Sequence, residues 1–276
     1  MNAYPAPAKL NLMLRVTGRR VDGYHTLQTV FRFIDFGDTL RFSLRADGAV
    51  VRVNDIAGVP EAADLTLRAA QRLKLESGTR MGVDIAIEKR LPLGGGLGGG
   101  SSDAATTLMV LNRLWQVNLP RKRLQQLALG LGADVPVFVF GKSAVAEGIG
   151  EKLTALTLPP AWYLLLLPPV SVSTAEVFQD PDLIRDSNPL KIPPFSAEMA
   201  YNGLEQVVCR QYSEVARHLE WLRQFGAAWM TGSGACVFSH FGTEAEAREV
   251  LLQLPAAMRG IVAQGLDRHP LWQMCE

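Results

Sequence analysis

Pro92-Leu93-Gly94-Gly95-Gly96-Leu97-Gly98-Gly99-Gly100-Ser101-Ser102-Asp103-Ala104-Ala105 sets how this chain is organised. Six glycines lie within the seven residues from Gly94 to Gly100. An amphipathic pattern follows at once, with Ala104, Leu108, Leu111 and Trp115 at i, i+4, i+7 and i+11, which predicts a helix from about Ser102 to Trp115. Glycine has no Cβ, so such a loop can turn through positive φ and press its N–H groups against a ligand. The helix behind it offers unpaired N–H groups and a partial positive charge. Together they predict a cradle for phosphates, with Ser101 or Ser102 placed to cap the helix or reach a metal ion. The plain alternative is a linker or a helix-entry turn, which so dense a glycine run ahead of a well-formed helix disfavours.

Three phosphate-binding designs compete for this loop. Gly94-x-Gly96-x-x-Gly99 fits a dinucleotide fingerprint, but that design needs an acidic residue roughly 20 positions on. No Asp or Glu occurs between Ala104 and Ala133. Gly141-Lys142-Ser143 suggests a Walker loop, yet Pro136 stands where its first glycine belongs. What remains is a kinase whose loop holds phosphate mainly through peptide N–H groups.

Outward from the loop, the pattern is β-rich before and mixed after. Strands are expected near 8–16, 27–34, 39–44, 50–53 and 82–87, with a turn at Asp22-Gly23, and helices near 62–75 and 121–129. Pro136-Val137-Phe138-Val139-Phe140 reads as a further strand. Beyond Pro159-Pro160 the order is strand 162–167, helical material to about 223, strands 226–230 and 235–240, helix 243–253 and strand 260–264. That is the β-α-β-β-α-β order of a ferredoxin-like sandwich. Asp180–Pro194 reads as a surface loop. The fold class expected is α+β in two domains, residues 1–157 and 158–276.

Composition excludes several functions. The 276 residues carry 28 basic and 27 acidic side chains, a net charge of +1, which gives no footprint for nucleic acid or for a membrane surface. Cys209, Cys236 and Cys275 are odd in number and widely spaced, as free thiols in a reducing compartment would be. The four histidines have no metal-ligand spacing. Met1–Leu14 lacks a basic segment before an apolar one, and the longest apolar run, Ala161–Val170, holds two prolines. A cytoplasmic protein is expected.

The glycine segment resembles the ATP loop of the GHMP kinases (galactokinase, homoserine kinase, mevalonate kinase and relatives). Three further segments, PAKLNLMLRVTGRRVDGYHTLQT, LGADVPVF and TGSGACVF, resemble the branch of that family whose acceptor is a polyol carrying a cytidyl diphosphate tail. The likeness runs in order over nearly the whole chain. It implies ATP and Mg²⁺ as cofactors, the latter with undefined ligands, and an N-terminal ATP-binding and a C-terminal ferredoxin-like domain. A member acting on another small alcohol is the alternative.

The resemblance also implies roles. Pro92, Leu93, Gly94, Gly95, Gly96, Leu97, Gly98, Gly99, Gly100, Ser101 and Ser102 would bind ATP. Lys9 and Asn11 share one face of a strand, which pattern alone would call a solvated face. By resemblance Lys9 is catalytic and Asn11 lines the acceptor pocket. Asp134 is an ordinary turn or cap residue by pattern; by resemblance it is the general base, oriented by Lys9. Tyr24 and His25 would otherwise pack beside a hairpin turn. The resemblance makes Tyr24 stack on cytosine, His25 bond the base edge, and Phe178 form a second aromatic wall. Thr231-Gly232-Ser233-Gly234, a hairpin turn by pattern, would approach the phosphates. Two positions depart from the family: Asp103 stands where some relatives carry asparagine, and Asp64-Leu65 where asparagine-leucine is common near the adenine.

Overall fold

The long hairpin that opens the chain organises everything else. In the computed structural model, which describes residues 2–192 and 194–275, β1 (Ala3–Arg19) and β2 (His25–Arg45) pair antiparallel along nearly their full length. The turn between them places Gly23 at φ +89°. The pairing slips between Pro7 and Lys9 and again between Asn11 and Met13. Such irregularities re-aim side chains, and here they bracket Lys9 and Asn11, the two polar residues in the otherwise apolar stretch Pro5–Leu14. The strands expected at 27–34 and 39–44 are one continuous element.

Around the hairpin lie β3 (Val50–Arg52), α1 (Leu65–Ser77), β4 (Gly82–Glu88), α2 (Gly99–Leu114), α3 (Arg121–Leu129), α4 (Val135–Phe140), β5 (Ala144–Gly148) and β6 (Lys152–Ala155). The second half adds β7 (Trp162–Leu166), α5 (Thr174–Gln179), β8 (Tyr201–Asn202), α6 (Glu205–Gln211) and α7 (Ser213–Arg223). It closes with β9 (Ala228–Met230), β10 (Val237–Phe241), α8 (Glu244–Leu251) and β11 (Gly260–Leu266). The strand path is β3-β4-β2-β11-β7-β10-β9. Its β11-β7-β10-β9 portion is antiparallel throughout, the strand order of a ferredoxin-like sheet. The fold is α+β. β11 pairs with β2 through Gly265 and Leu266, and β8 pairs with β1, so backbone hydrogen bonds stitch the two halves together.

Two sequence expectations need correction. Residues 136–140 form a helix, not a strand. A five-residue apolar run carries no period that separates the two. Pro136 sits in the first turn of α4 and Gly141 ends it in the left-handed conformation, both helix punctuation. The helix after the glycine loop begins at Gly99, inside the glycine run, with Gly98 as its N-cap at φ +71°. No serine side chain caps it. α2 is also buried nearly all round, including Ser102, Asp103, Thr106, Thr107 and Asn112, because it runs through the interior beside α1, α4 and β1.

Asp64 is structural. Its Oδ1 accepts the Thr66 N–H at 2.7 Å and caps α1, while Oδ2 pairs with Arg52 Nη1 at 2.9 Å, both side chains being about 4% exposed. Asp64→Ala should uncap the helix and strand a buried guanidinium. The expected loss is about 3–5 kcal/mol in urea unfolding; a loss below about 1 kcal/mol would contradict this role.

Candidate active site

A cavity of about 430 Å³ opens where β1, the glycine loop, α4 and the second half converge. Lys9, Asn11, Pro92, Leu93, Gly94–Gly100, Ser101, Asp134 and Phe178 all line it. Lys9 is only 2% exposed, and a buried ammonium requires acceptors. Its Nζ donates to Asn11 Oδ1 at 2.5 Å and to the Gly96 carbonyl at 3.1 Å, and pairs with Asp134 Oδ2 at 3.3 Å. Asp134 occupies the N-cap position of α4 but does not use its side chain as a cap. The carboxylate, 35% exposed, faces Lys9 and the cavity. This geometry excludes a solvated strand face for Lys9 and Asn11 and a side-chain cap for Asp134, which does lie in a turn at the start of α4.

The loop is held from three sides. Lys9 N–H donates to Leu97 O at 3.0 Å, and Ala235 and Cys236 N–H groups donate to the Gly94 and Gly95 carbonyls. The Gly96 carbonyl accepts from Lys9 Nζ and also from Thr231 Oγ1 at 3.3 Å. A Cβ on Gly96, at φ +72°, would lie 2.1 Å from the Thr231 carbonyl, so only glycine fits. With Gly98 as N-cap, the N–H groups of Gly99, Gly100 and Ser101 precede the first intrahelical donor, Ser102 N–H. These are the anion-facing donors of a helix start.

Not every expected residue meets the cavity. The Ser102 side chain is fully buried and its hydroxyl donates to Pro7 O at 2.7 Å, so this serine fastens α2 to β1 instead of facing a ligand. His25 lies against the ring of Phe178, centroids 5.0 Å apart and nearly parallel. Tyr24 is 63% exposed and outside the cavity, at the hairpin turn. Sequence reasoning missed Thr29 and Lys89. Thr29 Oγ1 accepts from Asn11 Nδ2 at 2.8 Å and lines the cavity. Its signal is its place two residues from Phe31, the cross-strand partner of Asn11, which is invisible before the strand register is known.

Beneath the loop, Lys89 Nζ bonds both Asp38 and Asp103, the latter at 2.8 Å. Asp38 also accepts the Arg90 and Leu91 N–H groups. Two buried carboxylates therefore share one ammonium, and Asp38 is the better solvated by donors. Burial, partly offset by Lys89 and reinforced by Asp38, pushes the Asp103 carboxyl up to about 7.

The family comparisons agree with this geometry. Residues 64–142 match the GHMP kinases N terminal domain and residues 191–260 the GHMP kinases C terminal model. The chain belongs to the GHMP kinase family. It is thus an ATP-dependent small-molecule kinase. It is 63% identical to the 4-diphosphocytidyl-2-C-methyl-D-erythritol kinase of Nitrosospira multiformis, covering 99% of this chain and 94% of that one. It is 61% identical to the enzyme of that name from Thiobacillus denitrificans, over 98% and 97%. A crystal structure of 4-(cytidine 5'-diphospho)-2C-methyl-D-erythritol kinase superposes with a TM-score of 0.83 at 33% identity, covering 96% of this chain and 99% of that one. A mevalonate kinase structure at 15% identity, with a TM-score of 0.67 over 97% and 100%, shares the fold.

Asp103 gives a signed pH test. Its folded pKa lies above its unfolded one, so the native state holds a proton that the unfolded chain has released between about pH 4 and pH 7. That stability is present at low pH and is lost as pH rises through the window. Asp103→Asn removes the titration, so its melting temperature relative to wild type should rise from pH 5 to pH 8. A constant difference would show that Asp103 does not titrate there.

Proposed function

We propose that the chain transfers the γ-phosphoryl group of ATP to the 2-hydroxyl of 4-diphosphocytidyl-2-C-methyl-D-erythritol, in the non-mevalonate route to isoprenoids. The observation that carries this reading is the Lys9–Asp134 pair, 3.3 Å apart beside a glycine cradle in one cavity. The identity of the acceptor is taken from the similar 4-diphosphocytidyl-2-C-methyl-D-erythritol kinases.

In this reading the N–H groups of Gly98 to Ser101 and the α2 N-terminus hold the triphosphate. The acceptor hydroxyl lies against Asp134, whose carboxylate takes its proton as the oxygen bonds to phosphorus and the bond to ADP breaks. Lys9 holds Asp134 in place and faces the charge that develops on the transferring group. Asn11, fixed by Lys9, Thr29 and a Thr231 hydroxyl that accepts its N–H at 3.0 Å, lines the acceptor side. The cytidyl tail extends toward Phe178, with His25 at the base edge and Tyr24 at the rim.

Magnesium would accompany ATP and neutralise phosphate charge. Among the described residues no three His, Cys, Asp or Glu side chains cluster as a metal cage. That suits an ion that keeps water and phosphate ligands and takes one or two protein oxygens, with Ser101 the cavity-lining hydroxyl on α2. We place the ATP-binding and C-terminal domains at 1–157 and 158–276 and the protein in the cytoplasm. No helix among the described residues is long and apolar enough to cross a membrane.

Asp134→Asn should lower kcat at least ~100-fold with the fold intact by circular dichroism; retained turnover would remove Asp134 from the chemistry. Phe178→Ala should raise KM for the cytidyl acceptor by about 5-fold or more, as loss of base stacking implies, and leave KM for ATP nearly unchanged. Equal rises in both would refute the stacking role.

A further inference from the structure

Arg185 is placed as no surface arginine needs to be. Its Nη2 donates to the carbonyls of Phe178 at 2.9 Å and Asp180 at 2.6 Å, and Nη1 donates to Leu183 O at 2.9 Å. Its Nε donates to His25 Nε2 at 3.1 Å. One side chain thus folds residues 178–185 around itself and ties them to the first residue of β2. The nearby Asp180 carboxylate does not neutralise it, being held by Arg210 at 2.7 and 2.8 Å and by Gln211 at 2.6 Å.

A guanidinium has no acceptor and does not lose its protons in a protein. His25 Nε2 facing it must therefore be a bare lone pair, which puts the single ring proton on Nδ1. The imidazolium form is disfavoured here as well. Burial first, then the Arg185 and Arg19 charges, hold the His25 pKa below that of an ordinary histidine. Arg19 is its cross-strand partner.

We infer that Arg185 is the positioning residue that makes the acceptor site selective for cytosine over uracil, by holding His25 as a neutral Nδ1–H donor. The inference rests on the cytidyl acceptor proposed above. Cytosine presents an unprotonated N3 on its pairing edge, which an N–H can meet. Uracil presents N3–H there, and two donors cannot pair. A site that offers a fixed, partly desolvated donor disfavours the analogue that leaves it unpaired. Arg185 also holds the Phe178 carbonyl, so the same residue fixes the ring that stacks and the ring that discriminates.

The test has two arms. The ring nitrogen resonances of His25 in the acceptor-free, ¹⁵N-labelled full chain should show the Nδ1-protonated tautomer at pH 7, and Arg185→Met should shift it to a mixture rich in Nε2–H. In steady-state kinetics, wild type should favour the cytidyl acceptor over its uridyl counterpart by on the order of 10-fold or more in kcat/KM. Arg185→Met should cut that ratio to about 3-fold or less, chiefly through KM for the cytidyl acceptor, with KM for ATP unmoved. The inference is overturned by an Nε2–H or imidazolium His25 in wild type, or by a variant that weakens both acceptors equally. If Arg185→Met does not fold, the wild-type tautomer and the wild-type base ratio still decide. Absence of any turnover of the cytidyl acceptor by wild type would instead refute the proposed function, since the tautomer is read without acceptor.

Discussion

An ammonium buried as deeply as Lys9 Nζ tolerates few arrangements of its surroundings. It is bound to Asn11 on its own strand, to the Gly96 carbonyl of the glycine loop, and to Asp134 at the start of α4. A lysine has three protons to place, and each of these partners sits on a different element. The position of the loop and the position of the carboxylate are thereby set against one reference point. Of the two side-chain partners Asp134 is the more exposed, so in the proposed reading it is the one able to meet an incoming hydroxyl without the ammonium being uncovered.

The second half of the chain enters the site through the same carbonyl. Gly96 O receives both Lys9 Nζ and Thr231 Oγ1, while Thr231 Oγ1 in turn accepts the Asn11 N–H. Strand β1, the glycine loop and residues 231–236 form a closed circuit of hydrogen bonds. That circuit explains why a Cβ cannot be added at Gly96, where it would lie 2.1 Å from the Thr231 carbonyl oxygen. Gly94, Gly96 and Gly98 all take left-handed conformations, the kind of backbone that can gather successive N–H groups around an anion.

Much of this was legible before the structure. The glycine loop, the helix behind it, and the ferredoxin-like strand order after Pro159-Pro160 all follow from local patterns of period and punctuation. Lys9, Asn11 and Asp134 were flagged by resemblance, and the pattern alone favoured ordinary roles for them. What stayed hidden depends on contacts distant in sequence. Ser102 looked like a phosphate ligand because it follows the loop, but the helix starts three residues earlier and turns its hydroxyl to Pro7. Pro136–Phe140 read as a strand because five apolar residues have no telling period, and burial in the helical layer decided otherwise. Arg185 lies in a segment that reads only as a polar loop. Its importance appears when it meets His25, 160 positions away.

The two lysines at the site divide the electrostatic work. Lys9 has a single carboxylate partner and, in the proposed reading, faces the acceptor. Lys89 lies under the loop with two, Asp38 and Asp103, which if both ionised would leave an excess negative charge beneath the proposed triphosphate site. In a buried site that charge would repel the nucleotide, since little solvent is available to screen it. The raised pKa of Asp103, about 7, eases the conflict, because the carboxyl is predominantly neutral below that pH. An asparagine at this position would achieve the same neutrality without titrating. The loop's peptide dipoles can then hold the phosphates with no opposing charge from the layer below.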